Sequence, residues 1–454
     1  MVSRDADPDV VLHRSRRQRL LDRLGDGLLL LPTASEQLRN GDVHHEYRPG
    51  SDFHFLTGFP EPDAMLAAWR TGNGKHRCVL FVRPRDPARE IWDGKRFGVA
   101  GAKRVFGADE ARPIGTLWEK LPELLRDQGR LFWRLGAHPR MDQRLLEVFA
   151  KIAQQQRRAQ PPAHPVLEDP VPGIAAMRRQ KDDRELAALR RAAAITADGH
   201  VAAMAVARPG MAEYEVQAVL EAAFRRGGSP RNGYGSIVAS GANACILHYH
   251  DNDRVMRAGD LLLIDAGAEY GGHTADVTRT FPVSGTFSDT QRAVYRIVLK
   301  AQMAGIAAAR VGAPWDRVHK VCQRSLTRGL VELGVLRGSF ARLIKKEKFK
   351  PWYMHGTSHW LGRDVHDVGA YQDRAGKPER LAAGMVLTVE PGLYFGPRDR
   401  KVPAELRGIG VRIEDDVLVT ARGPVVLTAA VPKAIAAVEA ACRRFRTSRA
   451  SGPT

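Results

Sequence analysis

The order helix, helix, acidic strand pair occurs twice in this sequence, and that recurrence restricts the folds open to it more than any other feature. The first strand pair is LLLIDAGAEYGGHTADVTRTFP, residues 261–282, with Asp265 on one run, Asp276 on the other and a turn carrying Gly267, Gly271 and Gly272. A turn centred between Tyr270 and Gly271 sets the two aspartates directly opposite each other, with Cβ atoms roughly 5 Å apart. Carboxylates that close repel unless a cation lies between them. Taken by itself the pair reads more readily as one carboxylate in a strand-end turn and one exposed on an edge strand, and it needs further ligands before it counts as a site. The second pair is MVLTVEPG (385–392) with VRIEDDVLVT (411–420), bearing Glu390 and Glu414. Ahead of the first pair, Asp182 and Glu185 form a capping signal for a long helix, and a second helix covers about 214–226. Ahead of the second, Ser288 with Gln291 opens a helix to about 310, and another covers about 315–333. A duplicated α/β half of this kind brings four carboxylates to one pseudo-twofold axis.

A chain of 454 residues exceeds a single core, so two domains are expected. Residues 1–172 read as a separate α/β unit, with a helix over about 11–24, strands at 28–31, 53–59, 64–69 and 78–82, and helices near 117–125 and 143–152. The polar, proline-rich run at 154–173 reads as a linker. Residues 173–440 hold the duplicated domain, and 441–454 a basic tail. His44, His45 and Glu46 are adjacent and so alternate faces of a strand, which suits a surface or interdomain role better than a site.

With 44% hydrophobic and 27% charged residues, the composition is that of a soluble globular protein. The charged N-terminal stretch and the lack of a long apolar run point to the cytoplasm and away from a membrane. Cys78, Cys245, Cys322 and Cys442 are widely spaced and are expected to be reduced, mostly buried thiols rather than a zinc site. The net charge of +19 raises nucleic-acid binding, but the basic clusters at 14–19, 345–350 and 443–449 lack interleaved aromatics. The charge is therefore read as a solvated, arginine-rich surface.

Between the second helix pair and its strands lies YMHGTSHWLGRDVHDVG, residues 353–369, with His355, His359 and His366. The His355/His359 spacing would suit a helical zinc pair, but Gly356, Gly362 and the missing glutamate of HExxH oppose it. Taken with SDFHFLTGFPEPDA, EIWDGKRFG, SGANACILHYHDND, GMVLTVEPGLYF and GIGVRIEDDV, this run makes the sequence closely resemble the creatinase, prolidase and aminopeptidase P family, its aminopeptidase P branch most of all.

The resemblance implies a creatinase-like α/β domain followed by a duplicated α/β catalytic domain of pita-bread type. It implies five metal ligands, Asp265, Asp276, His359, Glu390 and Glu414, holding two divalent ions with Asp276 and Glu414 bridging. Mn²⁺ suits such an oxygen-rich set, and Co²⁺ or Zn²⁺ can substitute. The implied reaction releases the N-terminal residue from peptides with proline second, through a hydroxide bridging the ions, with Glu390 as proton shuttle. His248, His355 and His366 match substrate-contacting histidines, Tyr234 and Arg412 match residues that orient ligands and water, and Trp92 matches a tryptophan reaching a neighbouring subunit's site. The last match implies a homo-oligomer, a dimer or tetramer. Two alternatives stay open: a dipeptidase using Arg363, Arg374 or Arg380 to hold a terminal carboxylate, and a non-catalytic binding protein of the same fold.

Overall fold

The computed structural model describes residues 10–155 and 165–448. It contains two compact units, Met1–Met177 and Arg178–Thr454.

The first unit runs α1 (Val10–Leu24), β1 (Leu28–Pro32), β2 (Leu38–Asn40), β3 (Val43–His44), α2 (Ser51–Thr57), β4 (Met65–Arg70), β5 (His76–Val82), α3 (Pro87–Asp93), α4 (Gly98–Phe106), β6 (Glu110–Pro113), α5 (Leu117–Leu125), β7 (Arg130–Phe132), α6 (Pro139–Gln155), β8 (Val166–Glu168) and α7 (Val171–Arg179). Six strands form one sheet in the order β6-β5-β4-β1-β7-β8, with β4 antiparallel to both its neighbours and the remaining pairings parallel. Strand alternation sends Leu29, Leu66 and Leu80 to one face and Leu28, Met65, Val79 and Phe81 to the other, so each face has its own core. Buried Arg16 and Arg17 fasten α1 to α2 by donating to Phe55 O and Leu56 O at 3.1 and 2.8 Å. His44 lies in the exposed β2–β3 ribbon, and the following His45 and Glu46 are exposed too.

Two expectations are corrected here. Residues 53–59 are not a strand: Ser51–Thr57 is helical and closes at Gly58, whose φ of 68° permits the left-handed cap. The aromatics at Phe53, Phe55 and Phe59 mimic strand alternation, but the helix buries Phe53, Phe55 and Leu56, and Phe59 joins the same core just past the cap. The described part of the 154–173 run is also structured, because Val166–Glu168 pairs in parallel with β7 and α7 starts at Val171. Residues 156–164 lie outside the described residues. The break between units falls within α7, five residues beyond the expected position of 172/173.

The second unit runs α8 (Asp183–Val206), α9 (Glu213–Arg226), β9 (Ile237–Ser240), β10 (Leu261–Asp265), β11 (Glu269–Tyr270), β12 (His273–Thr274), β13 (Thr278–Pro282), α10 (Asp289–Ala308), α11 (Asp316–Glu332), α12 (Phe340–Lys345), β14 (Val386–Val389), β15 (Gly392–Tyr394), β16 (Gly410–Arg412), β17 (Asp415–Thr420), β18 (Gly423–Val426) and α13 (Ile435–Ser448). Both expected capping boxes are present, at Asp182/Glu185 and Ser288/Gln291. Each half holds a three-stranded antiparallel sheet, β13-β10-β9 or β14-β17-β18, and a two-stranded ribbon, β11-β12 or β15-β16. One continuous core runs through both, from Ile195 and Leu220 through Leu262 and Ile264 to Val298, Leu330, Leu393 and Val411. The halves join where Glu414 N–H donates to Thr278 O at 3.1 Å. The expected tail at 441–454 begins inside α13, where Ala441 and Cys442 are buried; residues 449–454 lie outside the described residues.

The first hairpin is shifted from its expected register. Gly271 and Gly272 both have positive φ, 57° and 73°, and sit between the paired Tyr270 and His273. That is the two-residue turn that needs φ > 0 at both centres. The register therefore pairs Asp265 with Thr278. Asp276 becomes a diagonal neighbour of Asp265 rather than its direct partner.

Candidate metal centre and active site

A cavity of about 470 Å³ opens among the ends of these strands. Its lining includes Tyr234, His248, Asp265, Asp276, His355, His359, His366, Glu390, Arg412 and Glu414, which is every expected site residue except Trp92. Asp265 ends β10, Asp276 immediately precedes the segment leading into β13, Glu390 follows β14, and Glu414 bridges β16 and β17. The two acidic strand pairs thus deliver their carboxylates to one place. Trp92 belongs to the first unit, where it is 83% exposed on α3.

Asp276, His359 and Glu414 each place a donor atom within 4.8 Å of the others'. His359 Nε2 lies 3.3 Å from Asp276 Oδ2 and 3.6 Å from Glu390 Oε1. Its Nδ1–H donates to Trp360 O at 3.0 Å, which points Nε2 at the carboxylates, where it carries a proton in the metal-free protein and would offer its lone pair to a bound cation. Asp265 accepts from Arg412 Nη2 at 2.5 Å, and Thr278 donates its hydroxyl to Glu414 Oε2 at 2.6 Å. The Tyr234 hydroxyl lies 2.6 Å from Asp265 Oδ1 and 2.5 Å from Asp276 Oδ1. It carries one proton and can donate to only one of them, so the second approach is met either by a proton on the raised Asp276 carboxyl or by a bound cation.

The electrostatics say the same. Burial, then the charge of Asp276, drives the Glu414 carboxyl well above its usual range, and burial with the charge of Asp265 also raises Asp276. Burial pushes Glu390 up to about 7 despite the opposing charges of His359 and Arg412. Burial lowers His359, but its contact with Asp276 and the charges of Asp276 and Glu390 outweigh that and lift it to about 9. Burial followed by Arg412 takes His355 down to about 3, and burial followed by His359 lowers His366. Neutral His355 donates Nδ1–H to Gly356 O at 2.6 Å and accepts from Tyr394 through Nε2 at 2.8 Å. Four carboxylates and one imidazole, with no thiol among the described lining residues, fit hard divalent ions.

Residues 187–421 match the metallopeptidase family M24, and residues 13–133 match the aminopeptidase P N-terminal domain. The Xaa-Pro aminopeptidase of Escherichia coli K12 is 42% identical over 94% of this chain and 96% of its own length. The chain belongs to metallopeptidase family M24. The structure of Pseudomonas aeruginosa aminopeptidase superimposes with a TM-score of 0.93 at 43% identity, covering 97% of this chain and 99% of that one. A variant of Escherichia coli aminopeptidase P in complex with substrate gives a TM-score of 0.93 at 40% identity, covering 97% and 100%. Family M24 membership, with the donor set above, makes this a divalent-metal hydrolase with an N-terminal aminopeptidase P domain.

Three residues of this M24 site escaped the sequence reading. Tyr394 donates to His355 and accepts from Arg412 Nη1 at 3.2 Å, Thr278 supports Glu414, and the buried Asp416 carboxylate accepts the Asp276 N–H at 3.2 Å. Strand alternation carried a signal for two of them, since Thr278 and Asp416 follow Asp276 and Glu414 by two positions and so share their faces. Tyr394 had only its place in the GLYF run after Glu390.

Proposed function

We propose that this chain is an Xaa-Pro aminopeptidase, hydrolysing the bond before proline in Xaa-Pro-Yaa peptides. The observation favouring extended peptides over Xaa-Pro dipeptides is the cavity's supply of cations. Among the described lining residues Arg412 is the sole Arg or Lys, and its guanidinium is engaged with Asp265, Thr278 and Tyr394. A dipeptidase needs a cation for the proline carboxylate. Arg363 is buried beside Glu185, Arg380 donates to Gly312 O, and Arg374 is exposed. The non-catalytic alternative has no support from a cavity that retains all five ligand residues.

We assign Asp265, Asp276, His359, Glu390 and Glu414 as ligands, with Mn²⁺ as the working ion and Co²⁺ or Zn²⁺ able to substitute. When bound, the ions supply Lewis acidity and an activated water. The protein's own groups do the rest. Glu390, at the cavity wall beside His359, takes and returns the proton as the amine leaves. His366 and His248 stand at the cavity wall to stabilise charge developing on the carbonyl oxygen. Neutral His355, held by Tyr394, presents its ring to the proline side. Tyr234 and Arg412 fix the orientation of Asp265. The imide nitrogen of an Xaa-Pro bond offers no N–H, so recognition falls to shape and to groups around the carbonyl.

We also place the protein in the cytoplasm, on four cysteines that are widely spaced and show no framework pattern. No helix among the described residues is long and apolar enough to cross a membrane. We propose a homo-oligomer in which a second subunit covers Ile91 and Trp92, 82% and 83% exposed side by side on α3. The deciding assay compares one Xaa-Pro dipeptide with its extended peptide, with and without Mn²⁺, using Glu390→Ala as control. The extended peptide should be cleaved at least as well, only with metal, and not by the mutant. Strong preference for the dipeptide would overturn the substrate class, and an active mutant would overturn the role of Glu390.

A further inference from the structure

We infer that the buried Arg178–Asp367–Lys181 cluster is the positioning device for His366, so that Asp367 acts on turnover through its neighbour. The inference rests on the role given to His366 above. His366 is exposed at the cavity wall and meets His359 edge to face, with ring centroids 4.4 Å apart. Among the described residues no hydrogen bond holds its imidazole, and it belongs to no helix or strand. Its aim must therefore come from the backbone beside it.

That backbone is held by charge. The Asp367 side chain is 1% exposed; Oδ1 accepts from Arg178 Nη2 at 2.5 Å and Oδ2 from Lys181 Nζ at 2.9 Å. The two cations are themselves 2% and 1% exposed. Lys181 also donates to Arg178 O at 2.8 Å, and Arg178 reaches Asp364 Oδ2 at 2.8 Å. The Asp367 N–H donates to Trp360 O at 2.9 Å, which folds residues 360–367 into a closed loop that carries His366 next to its closing residue. The loop's other end is tied to both halves of the domain, through Thr274 N–H to Gly362 O at 3.0 Å and Leu361 N–H to Val386 O at 3.1 Å. Gly362 lets the ion pair come this close. A Cβ there would lie 2.2 Å from Asp367 Oδ2 and 2.9 Å from Lys181 Cε.

Buried ion pairs add little net stability over well-packed apolar groups, yet they fix geometry, and breaking one leaves an uncompensated charge. Here the geometry fixed is that of the residue next to the carboxylate. A displacement of about 1 Å at a reacting centre can cost roughly 100-fold in rate.

The test is a double-mutant cycle on the full chain loaded with Mn²⁺, measuring kcat, KM and metal content with an Xaa-Pro-Yaa peptide. Asp367→Asn should lower kcat about 10- to 100-fold with KM and metal content near wild type. In a His366→Ala background the same change should lower kcat less than about 3-fold, because nothing is left to aim. Equal factors in the two backgrounds would mean a merely structural role and overturn the inference. An unchanged kcat in His366→Ala alone would overturn the role of His366, and the inference with it. Should Asp367→Asn not fold, Lys181→Met keeps the Arg178 pair and should show the same dependence on His366; equal loss with and without His366 would again refute it.

Discussion

In the metal-free protein, stability should fall as pH rises across the range where Glu390 ionises. Burial raises its carboxyl to about 7 from an ordinary 4.5. Over that interval the folded protein keeps a proton that the unfolded chain has already released, so each step up in pH favours unfolding. The gap corresponds to about 3 kcal/mol, lost progressively between about pH 4.5 and about pH 7 and constant above. The same sign holds for Asp276 and Glu414, both also raised. Buried His200, lowered to about 4 by burial, works the other way, because the unfolded chain takes up its proton first as pH falls. Subtracting the Glu390→Gln curve leaves the contribution of Glu390 together with its coupling to His359 and Asp276, whose charges act on it. Urea denaturation of chelated wild type and Glu390→Gln, at several pH values across this range, should show wild type losing stability relative to the mutant as pH rises. Saturating Mn²⁺ should close the gap, since a cation favours the ionised carboxylate. Parallel curves for the chelated proteins, or a wild type that gains on the mutant as pH rises, would refute the reasoning.

The ligands should also separate by mutation. Asp276 contacts His359 and shares a 4.8 Å donor cluster with Glu414, whereas Asp265 is held by Arg412; metal analysis after Mn²⁺ loading should find both ions lost from Asp276→Ala and chiefly one weakened in Asp265→Ala, and equal losses would count against this division. Behind the cluster, fully buried Arg279 meets Asp415 at 2.7 Å and donates to Glu414 O, Thr278 O, Val431 O and Pro432 O. Arg279→Met should cost about 3 to 5 kcal/mol in denaturant unfolding, and a loss under about 1 kcal/mol would show that the surrounding carbonyls find other donors.

How much of this was legible in the sequence follows from how far each signal reaches along the chain. Capping residues act within one turn, and Asp182/Glu185 and Ser288/Gln291 mark helix starts that the structure contains. Strand alternation acts over a few residues and put Asp265, Asp276, Glu390 and Glu414 on strand pairs. The spacing of aromatics at Phe53 and Phe55 misled because alternation and a short helix's buried face can place the same residues inside. The hairpin register hinged on which two residues occupy the turn. Centring it on Tyr270 and Gly271 overlooked that only glycines take positive φ at both positions without strain, and Gly271–Gly272 was the pair available.

The supports around the site belong to a different order of distance. Thr278 and Glu414 are 136 positions apart, and Asp367 and Lys181 are 186 apart. Local pattern gives the face on which a side chain lies but not which faces will meet. In the run DVHDVG, Asp364 and Asp367 flank Val365 and His366 with nothing local to tell them apart. The fold separates them: Asp367 is enclosed between two cations, while the Asp364 side chain stays 37% exposed. A carboxylate enclosed between two cations can set the direction of the backbone beside it more firmly than one held by Arg178 alone and open to solvent. The four carboxylate ligands were therefore readable as acidic residues at or beside strand ends, whereas the residues that support them become visible only when the two halves close on each other.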